Sequence, residues 1–141
     1  MTPSWITYLA VALGGALGSV ARFWVGGWVG GAKLFGTAAQ TFPLGTLLVN
    51  ISGSFLIGLI AAFTNPEGGY PASPTFRTFL MVGICGGYTT FSSFSLQTLN
   101  LLRDREWFYA GGNVILSVVL CLVAVWLGYL LGSVFSSMKG N

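Results

Sequence analysis

The amino-acid sequence predicts an all-α integral membrane protein with four transmembrane helices per subunit. Its 141 residues are 54% hydrophobic and only 6% charged, whereas a soluble domain carries about 25% charged residues. The apolar residues fall into four segments, each long enough for the roughly 20 residues that a membrane-crossing helix needs. Since only short polar links separate these segments, we expect residues 1–141 to form a single transmembrane domain.

The predicted spans are residues 5–30, 42–63, 75–102 and 108–135. In the first span, glycines recur at multiples of four: Gly14, Gly18, Gly26 and Gly30. Residues at that spacing share one helix face, and small ones allow two helices to approach closely in lipid. Arg22 lies between these glycines and is the only charged residue well inside a predicted span. It suits either the entrance of an anion path or a helix end where the side chain extends to the membrane surface.

Polar and small residues form stripes in the second and fourth spans. They recur every four residues: Thr46, Asn50, Ser54 and Gly58 in the second span, and Asn113, Ser117 and Cys121 in the fourth. Polar side chains inside a membrane face protein or water rather than lipid. The stripes therefore either hold helices together or line a path through the membrane.

The third span contains a glycine pair followed by a run of hydroxyl side chains. Gly86 and Gly87 each weaken a helix by about 1 kcal/mol relative to alanine, and the hydroxyls offer the backbone alternative hydrogen bonds. This pattern predicts a third helix broken near the membrane midplane, a feature that recurs at ion and substrate sites. A kinked packing helix is the alternative. Phe91 and Phe94 would lie on neighbouring parts of one helix face; taken alone, they suit core or lipid contacts.

The ionisable side chains exclude several classes of function. The chain has no histidine, and its three acids, Glu67, Asp104 and Glu106, all fall in links. A serine triad, a metal site built from side chains and a proton-coupled exporter each need such groups inside the fold. Six basic residues are too few to form the clustered basic surface that nucleic-acid binding needs. The hydroxyls, amides and aromatic ring edges that remain are neutral groups that suit a small anion.

The basic residues give only a weak indication of orientation. Arg77 and Lys139 fall on one predicted side of the membrane, and Lys33, Arg103 and Arg105 fall on the other. An excess of lysine and arginine normally marks the cytoplasmic side. This distribution does not select one orientation.

Three segments carry a resemblance to a known family. They are GGALGSVAR at residues 14–22, GTLLVN at residues 45–50 and GGYTTFSSFS at residues 86–95. With these segments in this order, the sequence resembles the Fluc (CrcB) family of bacterial fluoride channels. The similarity covers essentially the whole chain, and the third segment is specific in a way that a lone pair of spaced glycines is not.

The resemblance implies an antiparallel, dual-topology homodimer that crosses the bacterial plasma (inner) membrane several times. Two fluoride pores would run along the dimer, each using residues of both subunits. One structural sodium ion (Na+) at the centre would be bound by the backbone carbonyls of Gly86 and Thr89 from each subunit. The implied partners are fluoride, a second copy of the chain and the lipid bilayer.

The resemblance also implies roles for individual residues. Phe91 and Phe94 match the family's pore phenylalanines, and Asn50 matches its pore asparagine. Ser117 matches a hydroxyl on the polar track of the fourth span, and Arg22 matches the vestibule arginine. The full implied set of pore residues is Asn50, Thr90, Phe91, Phe94, Ser95, Asn113 and Ser117.

Three positions on the polar track depart from the family pattern. Asn113 stands where members often carry an aromatic residue or histidine, Cys121 where a serine is usual, and Val125 where a threonine is usual. A thiol is a weak hydrogen-bond donor and valine is none. The outer half of the track is therefore expected to be weaker, which affects the rate of conduction more than the function.

The sequence thus predicts a fluoride-selective ion channel, not an enzyme, that gives passive export of cytoplasmic fluoride. One alternative is a small secondary transporter that couples another substrate to sodium. A second alternative is a non-transporting membrane assembly protein held together by its glycine stripes.

Overall fold

A computed structural model describes residues 4–31, 42–65 and 72–139. All regular secondary structure in these three stretches is helical. In chain order the elements are α1 (Trp5–Gly31), α2 (Leu44–Phe63), α3 (Pro74–Thr78), a π-helix (Phe79–Cys85), α4 (Gly86–Tyr88), α5 (Phe91–Arg103) and α6 (Trp107–Lys139). The elements α3, the π-helix and α4 follow one another directly.

Four helical stretches of the described chain are long and apolar enough to cross a membrane. They are Trp5–Val29, Leu44–Phe63, Pro74–Arg103 and Trp107–Met138. Many large apolar side chains are exposed, among them Phe23 at 85% and Phe108 at 95%. Such side chains suit a lipid or protein environment rather than water. The prediction of an all-α protein with four membrane-spanning helices is confirmed.

The third of these stretches is interrupted at Thr89 and Thr90. Both residues have extended backbone angles, with ψ at 159° and 114° respectively. The Thr90 hydroxyl accepts a hydrogen bond from the Ser93 N–H at 3.1 Å, so Thr90 is the N-cap of α5. Gly86 and Gly87 themselves lie in α4. The new helix therefore begins at a capping hydroxyl and not at the glycine pair.

Glycines let α1 pack closely against the π-helix and α4. A Cβ on Gly14 would lie 2.9 Å from the Gly83 Cα, and a Cβ on Gly18 would fall against the backbone of the same segment. The contact is reciprocal, because a Cβ on Gly87 would lie 2.6 Å from the Gly15 carbonyl oxygen. Gly87 is thus needed for this close approach between helices.

A second glycine contact holds α2 and α6 side by side. A Cβ on Gly58 would lie 3.0 Å from the Tyr129 backbone nitrogen, and a Cβ on Gly128 would fall against the Phe55 carbonyl oxygen. Backbone atoms cannot rotate away as a side chain can. The spacing of α2 and α6 therefore depends on these two glycines.

Replacing Gly128 with alanine should lower the free energy of unfolding by about 1–3 kcal/mol, because the added methyl forces α2 and α6 apart. Gly111→Ala is the matched control on the same helix, since a Cβ there meets nothing within 4 Å. Thermal unfolding of the purified variants in detergent measures the effect. Equal melting temperatures for the two variants would contradict the close contact.

Candidate functional site

The side chain of Asn50, on α2, forms two hydrogen bonds with the backbone at the interruption of the third helix. Its Nδ2 donates to the Thr90 carbonyl oxygen at 3.0 Å, and its Oδ1 accepts from the Thr90 N–H at 2.8 Å. Since the Thr90 N–H is used here, the Gly86 carbonyl lacks the partner that an α-helix would give it. A carboxamide can both donate and accept, so Asn50 stabilises the extended backbone at both polar groups of Thr90.

Two side chains of α1 bond to other carbonyls near the interruption. Arg22 Nη1 donates to the Thr89 carbonyl oxygen at 3.3 Å, and Ser19 Oγ donates to the Gly87 carbonyl oxygen at 3.5 Å. The half-buried Arg22 guanidinium therefore lies beside the interruption. A role of Arg22 at the entrance of an anion path stays a prediction.

Tyr88 connects the end of α4 to α2. Its hydroxyl lies 3.0 Å from Ser52 Oγ, and its ring lies against Gly53, where a Cβ would be 3.1 Å from the Tyr88 Cδ1. The Ser52 hydroxyl already donates to the Leu48 carbonyl oxygen at 2.7 Å, so the Tyr88 hydroxyl is the donor between the two. The side chain of Tyr88 thus links the segment just before the interruption to α2.

Phe91 and Phe94 form a ring pair at the start of α5. Their centroids are 5.2 Å apart and their planes are tilted by 48°. The two rings differ in burial, because Phe94 is only 8% exposed whereas Phe91 is 79% exposed. The position of the Phe94 ring is therefore set by this chain, whereas most of the Phe91 surface is left uncovered by it.

A cavity of about 470 Å³, called here the first cavity, brings most of the predicted site residues together. Seven of them contribute to its lining: Asn50, Gly86, Thr89, Thr90, Phe91, Phe94 and Ser117. No aspartate or glutamate is among the described residues that line it. The lining is mainly apolar, with Met81, Val118 and Leu122 beside the polar residues, and its described part holds no carboxylate that would repel an anion.

Two predicted pore residues, Asn113 and Ser95, are not among the lining residues of the first cavity. Asn113 is 2% exposed and accepts a hydrogen bond from Ser117 Oγ at 3.5 Å, so it lies behind Ser117. The exposed Ser95 hydroxyl donates to the Phe91 carbonyl oxygen at 2.9 Å. A direct contact of either residue with an anion stays a prediction.

A second cavity, of about 560 Å³, shares the lining residue Thr90 with the first. Its polar lining includes Arg22, Thr46, Ser93 and Gln97. Gln97 Oε1 is buried and has no hydrogen-bond partner within the described part of the chain. Among the described residues of the lining, Arg22 carries the only charged side chain, and its positive charge attracts anions.

The N-terminus of α5 adds a further positive contribution to the electrostatic potential at the interruption. A helix N-terminus carries roughly half a positive elementary charge from its free N–H groups. Here Thr90 caps one of these groups, the N–H of Ser93. Together with the Arg22 guanidinium, the helix end contributes a positive potential to the region around the interruption.

Comparison with known proteins identifies the family. Residues 9–129 match the family model described as "CrcB-like protein, Camphor Resistance (CrcB)". The chain belongs to the CrcB family. Family membership confirms the resemblance drawn from the three sequence segments, and with it the prediction of a non-enzymatic, multi-pass bacterial membrane protein.

Several relatives of this CrcB protein carry the name "Fluoride-specific ion channel FluC". The relative from Opitutus terrae is 58% identical over 134 residues, which cover 95% of this chain and 98% of the relative. The relative from Methylocella silvestris is 53% identical over 136 residues, covering 94% and 98%. The relative from Rhodospirillum rubrum is 54% identical over 124 residues, covering 88% and 92%.

The structure of this CrcB protein also reveals polar residues that were not predicted from its sequence. Gln97 lines the second cavity, and Thr98 donates to the Phe94 carbonyl oxygen at 2.8 Å and accepts from Asn113. The signal that could have found them is helical spacing, because Gln97 and Thr98 lie four residues after Ser93 and Phe94. The predicted site residues of the third span end at Ser95, the last residue of the hydroxyl run, less than one helical turn before Gln97 and Thr98.

Proposed function

We propose that this CrcB family member is a fluoride-selective ion channel that allows passive export of fluoride from the cytoplasm. The observation that carries the proposal is the first cavity, in which the interruption of the third helix, a buried phenylalanine ring and neutral donors face one space. Neutral donors can replace the water around an anion without holding it too tightly to leave. The names of the relatives support fluoride as that anion.

The proposed path begins in the second cavity. The Arg22 guanidinium raises the local concentration of anions there, and Thr90, which lines both cavities, marks the connection to the first. In the first cavity, Asn50 offers one amide N–H, because its Nδ2 carries two and only the bond to Thr90 is recorded among the described residues. The Ser117 hydroxyl and the positive edges of the Phe91 and Phe94 rings complete the set of groups that face fluoride.

We further propose that two copies associate in antiparallel orientation, with the interruption near the membrane midplane and two pores in each dimer. The exposure of the Phe91 ring, at 79%, supports this arrangement, because a ring that lines a pore needs protein on its other side. The weak lysine and arginine bias is also consistent with insertion in both orientations.

A sodium ion at the dimer centre would be held by the backbone carbonyls of Gly86 and Thr89. The two carbonyls have free lone pairs for such an ion, whereas the positive charge of Arg22 at the Thr89 oxygen opposes it. The Gly86 carbonyl lacks its helical partner because the Thr90 N–H bonds to Asn50, and the Thr89 oxygen retains a second lone pair besides the bond from Arg22. The ion would supply charge that fixes the two subunits together, and no step of conduction requires it to move.

Flux from reconstituted lipid vesicles tests the proposed function. We expect fluoride efflux that is not accompanied by chloride efflux and that is unaffected by a sodium gradient. Equal passage of both anions would reject selectivity. Flux that follows the sodium gradient would indicate a coupled transporter, and the absence of any flux would favour an assembly protein.

A further inference from the structure

A chain of hydrogen bonds behind Ser117 joins α5 to α6. Thr98 Oγ1 donates to the Phe94 carbonyl oxygen at 2.8 Å, and Asn113 Nδ2 donates to Thr98 Oγ1 at 2.8 Å. Ser117 Oγ then donates to Asn113 Oδ1 at 3.5 Å. Asn113 is 2% exposed and Ser117 is 8% exposed, so water does not readily replace these bonds.

The chemistry of the chain fixes the direction of every donor. The Phe94 carbonyl can only accept, so it takes the one hydroxyl proton of Thr98. The Thr98 oxygen is then left only as an acceptor, and Asn113 must present its NH2 group to it. The amide oxygen of Asn113 therefore faces Ser117, and Ser117 must be the donor in the last bond.

This direction determines what Ser117 can offer to the first cavity. Its hydroxyl has a single proton, and that proton points to Asn113 when the chain of bonds is complete. An anion in the cavity must compete with the Asn113 oxygen for it. At 3.5 Å the bond lies at the long limit of hydrogen bonding and is weak, so the hydroxyl can turn between the two acceptors.

We infer that Thr98 is a positioning residue that acts through Asn113 to set the acceptor against which fluoride competes for the Ser117 hydroxyl. Neither Thr98 nor Asn113 is among the described residues lining the two cavities, so both act on an anion through Ser117. The inference rests on the proposed function and deepens it. It assigns a role to Thr98, which lies outside the described cavity linings. It also changes the predicted role of Asn113: the amide does not donate a hydrogen bond to fluoride but competes with fluoride for the Ser117 proton.

The test measures fluoride flux from vesicles over a range of fluoride concentrations. In Thr98→Val the Asn113 amide is free to turn its NH2 group toward Ser117, so the Ser117 proton no longer has a competing acceptor. We expect the fluoride concentration that gives half-maximal flux to fall by about threefold, the scale of one weak hydrogen bond. Thr98→Ser keeps the hydroxyl and should match the wild type. Asn113→Leu removes the competing oxygen directly and should shift the concentration dependence in the same direction.

A double-mutant cycle separates positioning from a structural role. In a Ser117→Ala background, Thr98→Val should cause no shift, because the hydroxyl through which it acts is absent. A shift of equal size in both backgrounds, or no shift in the wild-type background, would overturn the inference. If Ser117→Ala does not conduct, the cycle is measured instead as the rise in melting temperature that fluoride causes in each variant. If Thr98→Val does not fold, Asn113→Leu replaces it in the cycle. A wild type without fluoride flux would reject the proposed function itself, whereas a conducting wild type with an inert Thr98→Val rejects this inference alone.

Discussion

Asn50→Asp is expected to lower fluoride flux strongly and to destabilise the protein. The substitution replaces the Nδ2 donor with an oxygen, which would then face the Thr90 carbonyl oxygen at about the 3.0 Å of the present bond. Two acceptors at that distance repel each other, and the lost bond alone contributes about 0.5–1.5 kcal/mol. The carboxylate also places a negative charge beside an anion path. We expect flux to fall by at least about tenfold, since each tenfold change corresponds to about 1.4 kcal/mol in the barrier.

Asn100→Asp is the matched control for this variant. It makes the same chemical change at an exposed asparagine of α5 that lines neither cavity within the described chain. Its flux and melting temperature should remain close to those of the wild type. Vesicle flux and thermal unfolding, measured on both variants, separate the two effects. If Asn50→Asp lost flux but kept the wild-type melting temperature, the hydrogen bonds to Thr90 would not contribute to stability. The loss of flux would then come from the negative charge alone.

Hydropathy and spacing were sufficient to predict the four membrane-spanning helices. Long apolar runs have few alternatives in lipid, because the backbone must satisfy its own hydrogen bonds there. The same rule could not locate where the third helix is interrupted. Helix propensity pointed to Gly86 and Gly87, but Gly87 packs against Gly15, and the interruption falls at Thr89 and Thr90.

The residues that line the site could be predicted from the sequence more easily than the hydrogen bonds between them. Periodicity and family resemblance selected Asn50 and Ser117, and both line the first cavity. Spacing along one helix could not show that Asn50 bonds to the backbone of Thr90, or that Ser117 donates to Asn113. Such partners depend on how separate helices pack, and they decide which donor remains free for an anion.

Phe94→Ile should reduce fluoride flux by at least about tenfold while the fold and the proposed association of subunits persist. Isoleucine keeps much of the apolar volume, so we expect a loss of stability of about 1 kcal/mol. It has no ring edge, however, and the positive edge of a phenyl ring is the group that faces an anion without a formal charge. The ring of Phe94 is 8% exposed and lines the first cavity, so this chain holds it in place there.

Phe108→Ile makes the same change at a ring that is 95% exposed, and it should leave the flux unchanged. Size-exclusion chromatography of the wild type and both variants would show whether the proposed dimer forms and whether it persists in each variant. An unchanged flux in Phe94→Ile would mean that the ring only fills space. A reduced flux in both variants would mean that the loss of an aromatic ring acts through general packing. Only a loss confined to Phe94, with assembly intact, fits a ring edge that takes the place of water around the moving ion, because that role depends on the position of the ring in the cavity and not on its volume.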